Sequence, residues 1–300
     1  KPGNKSSKKK YLNYPRFNSE KGAVVYFDRK EILDGVYDRS VYFMVPPFDL
    51  DSLGGSDPKA IEFEGTFRSS GMFPDFEEKL SIRGDYSLGF EHDIPPEGYQ
   101  LYEGSGRLFN KLKMDKMGLR GNGRIDFLST SLESEDFTFY PDSVTGAGDY
   151  VEIREEEHNG IIFPQATIKK YEMKWLPKKD SMYLKNVEEP ILFYNETASL
   201  DGAAIISNKG VFGSGTVVSR GSEFESDEIK LEHDNFGARH AQFELKSDNP
   251  EKPALSGDDV RLKFDLVDNY ADISPEIEGQ AAIAFPYAQF KTSITKARWD

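Results

Sequence analysis

GLRGNGRIDFLSTSLESEDFTF, residues 118–139, is answered by GVFGSGTVVSRGSEFESDEIKL, residues 210–231, at a constant offset of 92 positions. Extended outward without a gap, residues 99–180 lie over 191–272. This superposes Tyr102 on Tyr194, Leu108 on Leu200, and Gly118, Gly121 and Gly123 on Gly210, Gly213 and Gly215. Glu133, Ser134, Asp142, Glu152 and Asp180 fall on Glu225, Ser226, Asp234, Glu244 and Asp272. Scattered identities at this level carry little weight, but the apolar positions keep the same register. Phe137 and Phe139 lie over Ile229 and Leu231, Val151 and Ile153 over Phe243 and Leu245, and Ile168 over Val260. Self-similarity at a long fixed period sets the architecture before any motif does.

The local period is two. DFTFY (136–140), YVEIR (150–154), TIKKYEMKW (167–175), DEIKLEH (227–233), AQFELK (241–246) and VRLKFDLV (260–267) alternate apolar and polar residues, the pattern of half-buried antiparallel strands. PDSVTGAGD, HDNFGA and SDNPEKPALSGDD read as the intervening turns, since Gly and Asn tolerate positive φ and Pro presets it. FPDFEEKLS is the best helical candidate, and it is short. The fold class predicted is all-β: antiparallel strands in tandem units of about 92 residues, stacked as an elongated β-solenoid or a chain of sandwich-like units. Residues 1–20 read as a basic tail or linker, 21–98 as a partial β repeat, 99–190 as a repeat, and 191–300 as a repeat plus the start of another. The partial copy rests on VYFMVPPFDLDSLGGSDPKAIEFEG, from Val41, which parallels DFTFYPDSVTGAGDYVEIRE after a small change of offset.

Composition narrows the function. The 52 acidic against 38 basic side chains, net charge −14, repel phosphate backbones, so nucleic acid is not the expected partner. With no cysteine there is no disulfide, thiol nucleophile or thiolate metal site. No apolar run approaches the roughly 20 residues of a membrane-spanning helix.

Motifs of chemistry are sparse. The order G-x-x-G-x-G, followed by a strand, differs from the G-x-G-x-x-G and P-loop orders that cradle phosphates. Gly118, Gly121, Gly123, Gly210, Gly213 and Gly215 are therefore read as structural bends, where one strand hands over to the next. Asp49, Asp51 and Asp57 fail the EF-hand spacing, because Leu53 and Ala60 occupy ligand positions. His92, His158, His233 and His240 are scattered through turn-rich stretches. No G-x-S-x-G elbow occurs, and acids are too abundant for any one pair to mark a glycosidase. Neither a cofactor nor a metal site is predicted, and the chain is not expected to be an enzyme. A glycoside-active enzyme ranks third among the readings.

Trp175 and Tyr194 are candidates for stacking on a sugar ring, which makes a tandem carbohydrate-binding sandwich the alternative function. The tripeptide Asp-Ser-aliphatic, at Ser52, Ser143 and, with Met in the third place, Ser181, is similar to the O-glycosylation acceptor of Bacteroidota envelope proteins.

The stretch SLDGAAIISNKGVFGSGTVVSRGSEFESDEIKLEHDNFGARHAQFELKS, 199–247, resembles the glycine-punctuated strands of bacterial envelope proteins of the OstA/TamB style. That resemblance spans roughly residues 99–272 and carries over no functional residue. It implies an extended β-solenoid or open β-jellyroll, often with a greasy groove for lipid. Its repeat of 92 residues is longer than one rung of such a solenoid. The reading is then a non-catalytic structural or binding region of a large bacterial envelope or cell-surface protein. It would sit in the periplasm, on the outer membrane surface or outside the cell. The expected partners are other repeats of the same polypeptide, other envelope proteins, lipid or glycan.

Overall fold

The computed structural model describes residues 17–28, 35–50, 61–84, 86–249 and 252–299. These residues are all-β and overwhelmingly antiparallel, with no α-helix among them and two single 3₁₀ turns at Tyr102–Gly104 and Pro177–Lys179. The chain divides into two compact units. One comprises residues up to 92 together with 113–118, the other 93–112 with 119–300.

In the first unit the strands are β1 (Phe17–Ser19), β2 (Ala23–Tyr26), β3 (Tyr42–Val45), β4 (Phe48–Leu50), β5 (Glu62–Arg68), β6 (Phe76–Ile82) and β7 (Leu88–Asp93). They pair in the order β2–β3–β5–β6–β7, with β1 and β4 as a separate ribbon. The segment read as a helical candidate is strand β6. Phe76 and Leu80 are buried while Glu77 and Lys79 face water, a period of two that the ladders to β5 and β7 enforce. Phe43, Phe67, Phe76 and Phe90 fill this core, with ring centroids 4.8–6.3 Å apart. Of the basic tail read at 1–20, residues 1–16 lie outside the described residues, and Phe17–Ser19 pair with Phe48–Leu50.

The second unit begins with β8 (Tyr99–Leu101), β9 (Gly106–Asp115), β10 (Gly118–Phe127), β11 (Thr130–Tyr140), β12 (Ser143–Gly148) and β13 (Tyr150–Ile153). A small hairpin of β14 (Glu157–His158) and β15 (Ile161–Ile162) precedes β16 (Ala166–Ile168), β17 (Tyr171–Leu176), β18 (Ser181–Asn186) and β19 (Ile191–Phe193). Then come β20 (Ala198–Ser207), β21 (Gly210–Ser219), β22 (Ser222–Leu231), β23 (Asn235–Leu245) and β24 (Leu255–Asp265). β25 (Tyr270–Pro275), β26 (Ile283–Phe285), β27 (Phe290–Thr292) and β28 (Ala297–Trp299) complete it. The stretches read as turns are mostly strand: Ser143–Gly148 is β12, and Asn235 opens β23. Reversals are tight, such as Pro141–Asp142 between the paired Tyr140 and Ser143, and Arg220–Gly221, both at positive φ, between Ser219 and Ser222. The single strand expected over 167–175 is two, broken before Lys170 at φ 49°.

The ladder registers align one buried side chain per strand. Phe139, Val144, Trp175, Met182, Ile206, Val211, Leu231, Phe236, Phe264 and Ala271 are successive cross-strand partners, each at most 3% exposed, and Trp299 extends the row. A second row crosses the opposite ends of these strands through Phe127, Thr130, Ile153, Ala166, Phe193, Ala198, Ser219 and Ser222. On a flat sheet Phe224 and Phe236, on neighbouring strands but seven positions apart in register, would be roughly 20 Å from each other. Their ring centroids are 6.4 Å apart, so the sheet folds over and brings its two buried rows together. Aromatic rings fill the interior: Phe236 stacks on Phe264 at 4.4 Å, Phe224 lies 5.7 Å from Phe264, and Trp175 lies 5.2 Å from Phe127.

Candidate functional site

Antiparallel strands bend where an extra residue interrupts the ladder. Here the interruptions lie on the fold line. The β10–β11 register shifts between Gly121 and Gly123, and the β21–β22 register between Gly213 and Gly215. The glycines read as corners between strands are thus inside strands, at bulges, while Gly118 and Gly210 open β10 and β21.

The chemistry that requires glycine is the same at both bulges. Gly123 has φ 105° and Gly215 φ 129°, and a Cβ would come within 2.3 Å of the Phe109 or Asp201 carbonyl oxygen. At Gly121 a Cβ would meet the Lys111 carbonyl, Phe139 and Leu108. At Gly213 it would meet Leu200, Leu231 and the Ala203 carbonyl, the residues 92 positions on. Gly118 and Gly210 share positive φ but not neighbours, which are Tyr37 for the first and Ile161 for the second.

Side chains supply the hydrogen bonds that the bulges interrupt. Ser134 Oγ donates to the Ala147 carbonyl (2.6 Å) and accepts from the Asp136 amide (3.0 Å). Ser226 Oγ does the same with the Arg239 carbonyl and Glu228 amide, at 2.6 and 3.0 Å. The Tyr102 hydroxyl donates to the carbonyls of Tyr140 and Ser143 (2.6 and 3.0 Å), bracketing a two-residue turn. That of Tyr194 donates to Glu232 and Asn235 (2.8 and 3.4 Å). Burial pushes the Tyr194 hydroxyl well above the ordinary tyrosine range, and the nearby Glu232 adds to the effect. Three hairpins also share one register. Tyr99 faces Leu108, Ile191 faces Leu200 and Ile283 faces Thr292, each pair 92 positions after the last.

Trp175 is not available to a sugar, and Tyr194 is half-buried. Trp175 is fully buried between Tyr102 and Phe127, and Tyr194 stacks on Phe236 with its hydroxyl committed to the backbone. Of the tripeptide serines, Ser52 lies outside the described residues. Ser143 Oγ donates to Asp142 Oδ1 (3.2 Å) and Ser181 Oγ to the Lys179 carbonyl (2.9 Å), both in half-buried residues.

Sequence reading missed two ion clusters near the last strands. Glu276, its side chain 6% exposed, accepts from Arg239 and Arg261, the latter at 2.8 Å. These guanidinium hydrogen bonds hold its carboxyl at about 2. Asp272 accepts from Arg298 Nε and Nη2 (2.7 and 2.9 Å) and lies 2.6 Å from Lys296 Nζ. The Arg298 hydrogen bonds, chiefly, hold its carboxyl at about 2. These clusters tie β28 to β25 and β25 to its neighbours. Asp272 was visible only as a repeat identity with Asp180, which signalled nothing about its charge partners.

The open depressions lie on the water-facing side. One of about 510 Å³ is lined by Thr216, Glu223, Glu225, Gln242, Glu244 and Asp258, and one of about 550 Å³ by Glu133, Glu135, Asp149, Tyr150, Lys170 and Glu172. In the first unit a third, of about 800 Å³, includes Lys21, Met44, Pro46, Glu64 and Glu77. The histidines stand apart, each beside an acid: His92 by Glu78 (2.8 Å), His158 by Glu156 (3.7 Å), His233 by Glu155 (3.3 Å) and His240 by Asp259 (2.8 Å). Among the described residues no group of three metal-capable side chains converges, and no helix is long and apolar enough to cross a membrane. No family model, curated protein or solved structure matches the chain.

Proposed function

We propose that this chain is a non-catalytic structural region of a large bacterial envelope or cell-surface protein, in which a 92-residue sheet unit is repeated as an extended scaffold. The observation that carries the reading is the recurrence of the same hydrogen bonds and glycine contacts at one offset: Tyr102 and Tyr194, Ser134 and Ser226, Gly121 and Gly213. What recurs is the machinery of folding a sheet over. A filled interior of stacked Phe and Trp rings favours the scaffold over a lipid-carrying groove. The partners are then further units of the same kind.

A segment exchange tests this. Replacing 118–139 by a second copy of 210–231 should leave a cooperatively unfolding protein with native-like near-ultraviolet circular dichroism, because the two segments occupy equivalent places. A chimera that fails to fold, while a chimera carrying a conservatively shuffled loop folds, would remove the repeat. Fractionation of the producing cells tests the location, and a protein confined to the cytosol would sink the envelope assignment.

A further inference from the structure

β27 has one flank occupied and a close precedent for what covers the other. β26 and β27 pair as Ile283 with Thr292, Ala284 with Lys291 and Phe285 with Phe290. Exactly 92 positions earlier, β19 and the start of β20 pair as Ile191 with Leu200, Leu192 with Ser199 and Phe193 with Ala198. There the other flank of Ala198–Leu200 carries β21: Leu200 faces Val217, Ser199 faces Val218 and Ala198 faces Ser219. All ten residues of β21 are in that ladder, and the bulge between Gly213 and Gly215 lets the strand follow the fold of the sheet. Among the described residues β27 has ladder partners only in β26.

We infer that the outer flank of β27 is a docking edge for an extended strand of the G-x-x-G-x-G type. That strand would run antiparallel, with the residue equivalent to Val217 opposite Thr292 and the one equivalent to Ser219 opposite Phe290. This rests on the repeated-scaffold reading and names its partner: a strand equivalent to β21 from a further unit, recognised through main-chain hydrogen bonds. In the precedent the glycines follow directly: Gly215 faces Gly202, where a Cβ on Gly215 would strike the Asp201 carbonyl, and the counterparts of Asp201 and Gly202, residues 293 and 294, come just after β27.

The test adds a synthetic peptide with the sequence of residues 210–219, carrying a solubilising lysine tail, to the intact chain and follows amide hydrogen exchange. At about 1 mM peptide the amide of Lys291, the counterpart of Ser199, should exchange about twofold more slowly, the effect of roughly half occupancy by a short strand. A peptide with proline at the position of Val218 should give no protection, since the N–H of that residue is the one turned toward the receiving strand and proline has none. No slowing at Lys291, slowing confined to other strands, or equal slowing by the proline peptide each overturns the inference. Because the peptide variants leave the protein untouched, such a failure is separate from the segment exchange, which decides the repeat itself.

Discussion

Tyr102 and Tyr194 each hold closed a two-residue turn that begins 39 residues downstream, donating a phenolic hydrogen bond to the carbonyls on either side of it. The bond spans a distance in sequence that no local motif bridges. It joins the end of a short strand, β8 or β19, to the turn before β12 or β23.

Removing either hydroxyl should therefore loosen the turn it holds. Tyr102→Phe and Tyr194→Phe are each expected to cost about 1 kcal/mol, measured by denaturant unfolding, with the ring stacking of Tyr194 on Phe236 retained. The sites share no partner, so the double variant should lose the sum within about 0.5 kcal/mol. A strong coupling between them would contradict independent, equivalent clamps.

Glycine at the bulges should be far less replaceable than glycine at a turn. Gly123→Ala combines left-handed backbone with a Cβ 2.3 Å from a carbonyl oxygen and should cost about 3 kcal/mol or more. Gly221→Ala, at φ 73° with open space around it, should cost about 1 kcal/mol. Equal losses in thermal or denaturant unfolding would show that the clash is relieved by movement of the sheet.

Acid should weaken the chain in a defined window. Glu276, held at about 2 by Arg261 and Arg239, and Asp272, held at about 2 by Arg298, have ordinary values near 4 when unfolded. Below that the unfolded chain takes up protons that the folded one refuses. Their contribution is thus complete above about pH 5 and is lost as the pH falls toward 2. Asp272→Asn with Glu276→Gln should cost about 1–3 kcal/mol at pH 7 and flatten the slope of stability between pH 5 and 2. An unchanged slope would place the acid sensitivity elsewhere.

A packed interior should carry no lipid. Native mass spectrometry under gentle conditions is expected to give the bare chain mass, and Phe236→Ala should cost about 3–5 kcal/mol by opening a cavity in the ring stack. A stoichiometric co-purified lipid would reopen the groove reading.

The all-β, antiparallel class was legible in the alternation of segments such as DFTFY and VRLKFDLV, because one face of each strand must be buried. The glycine triplets were legible as special backbone, but not as bulges. A corner between strands and an interruption inside one both demand positive φ, and only the ladder register tells them apart. FPDFEEKLS misled because nine residues are too few to separate a period of 3.6 from one of 2 when the pairing strands are distant in sequence. Trp175 and Tyr194 were chosen as aromatic, and alternation does not say whether a ring faces solvent or the opposing half of a folded sheet. Ser134 and Ser226 were in plain view as a repeat identity, yet their role needs the carbonyls of Ala147 and Arg239, 13 residues away in each case.

β20 belongs to two neighbourhoods at once: it pairs with β18 and β19 on one flank and with β21 on the other, and only Asn208 and Lys209 separate it from β21. The stretch of sequence that recurs at an offset of 92 and the stretch that pairs strand to strand are consequently not the same length of chain. Deleting β18 and β19 should therefore strip one whole flank of β20 and loosen its ladder to β21 as well.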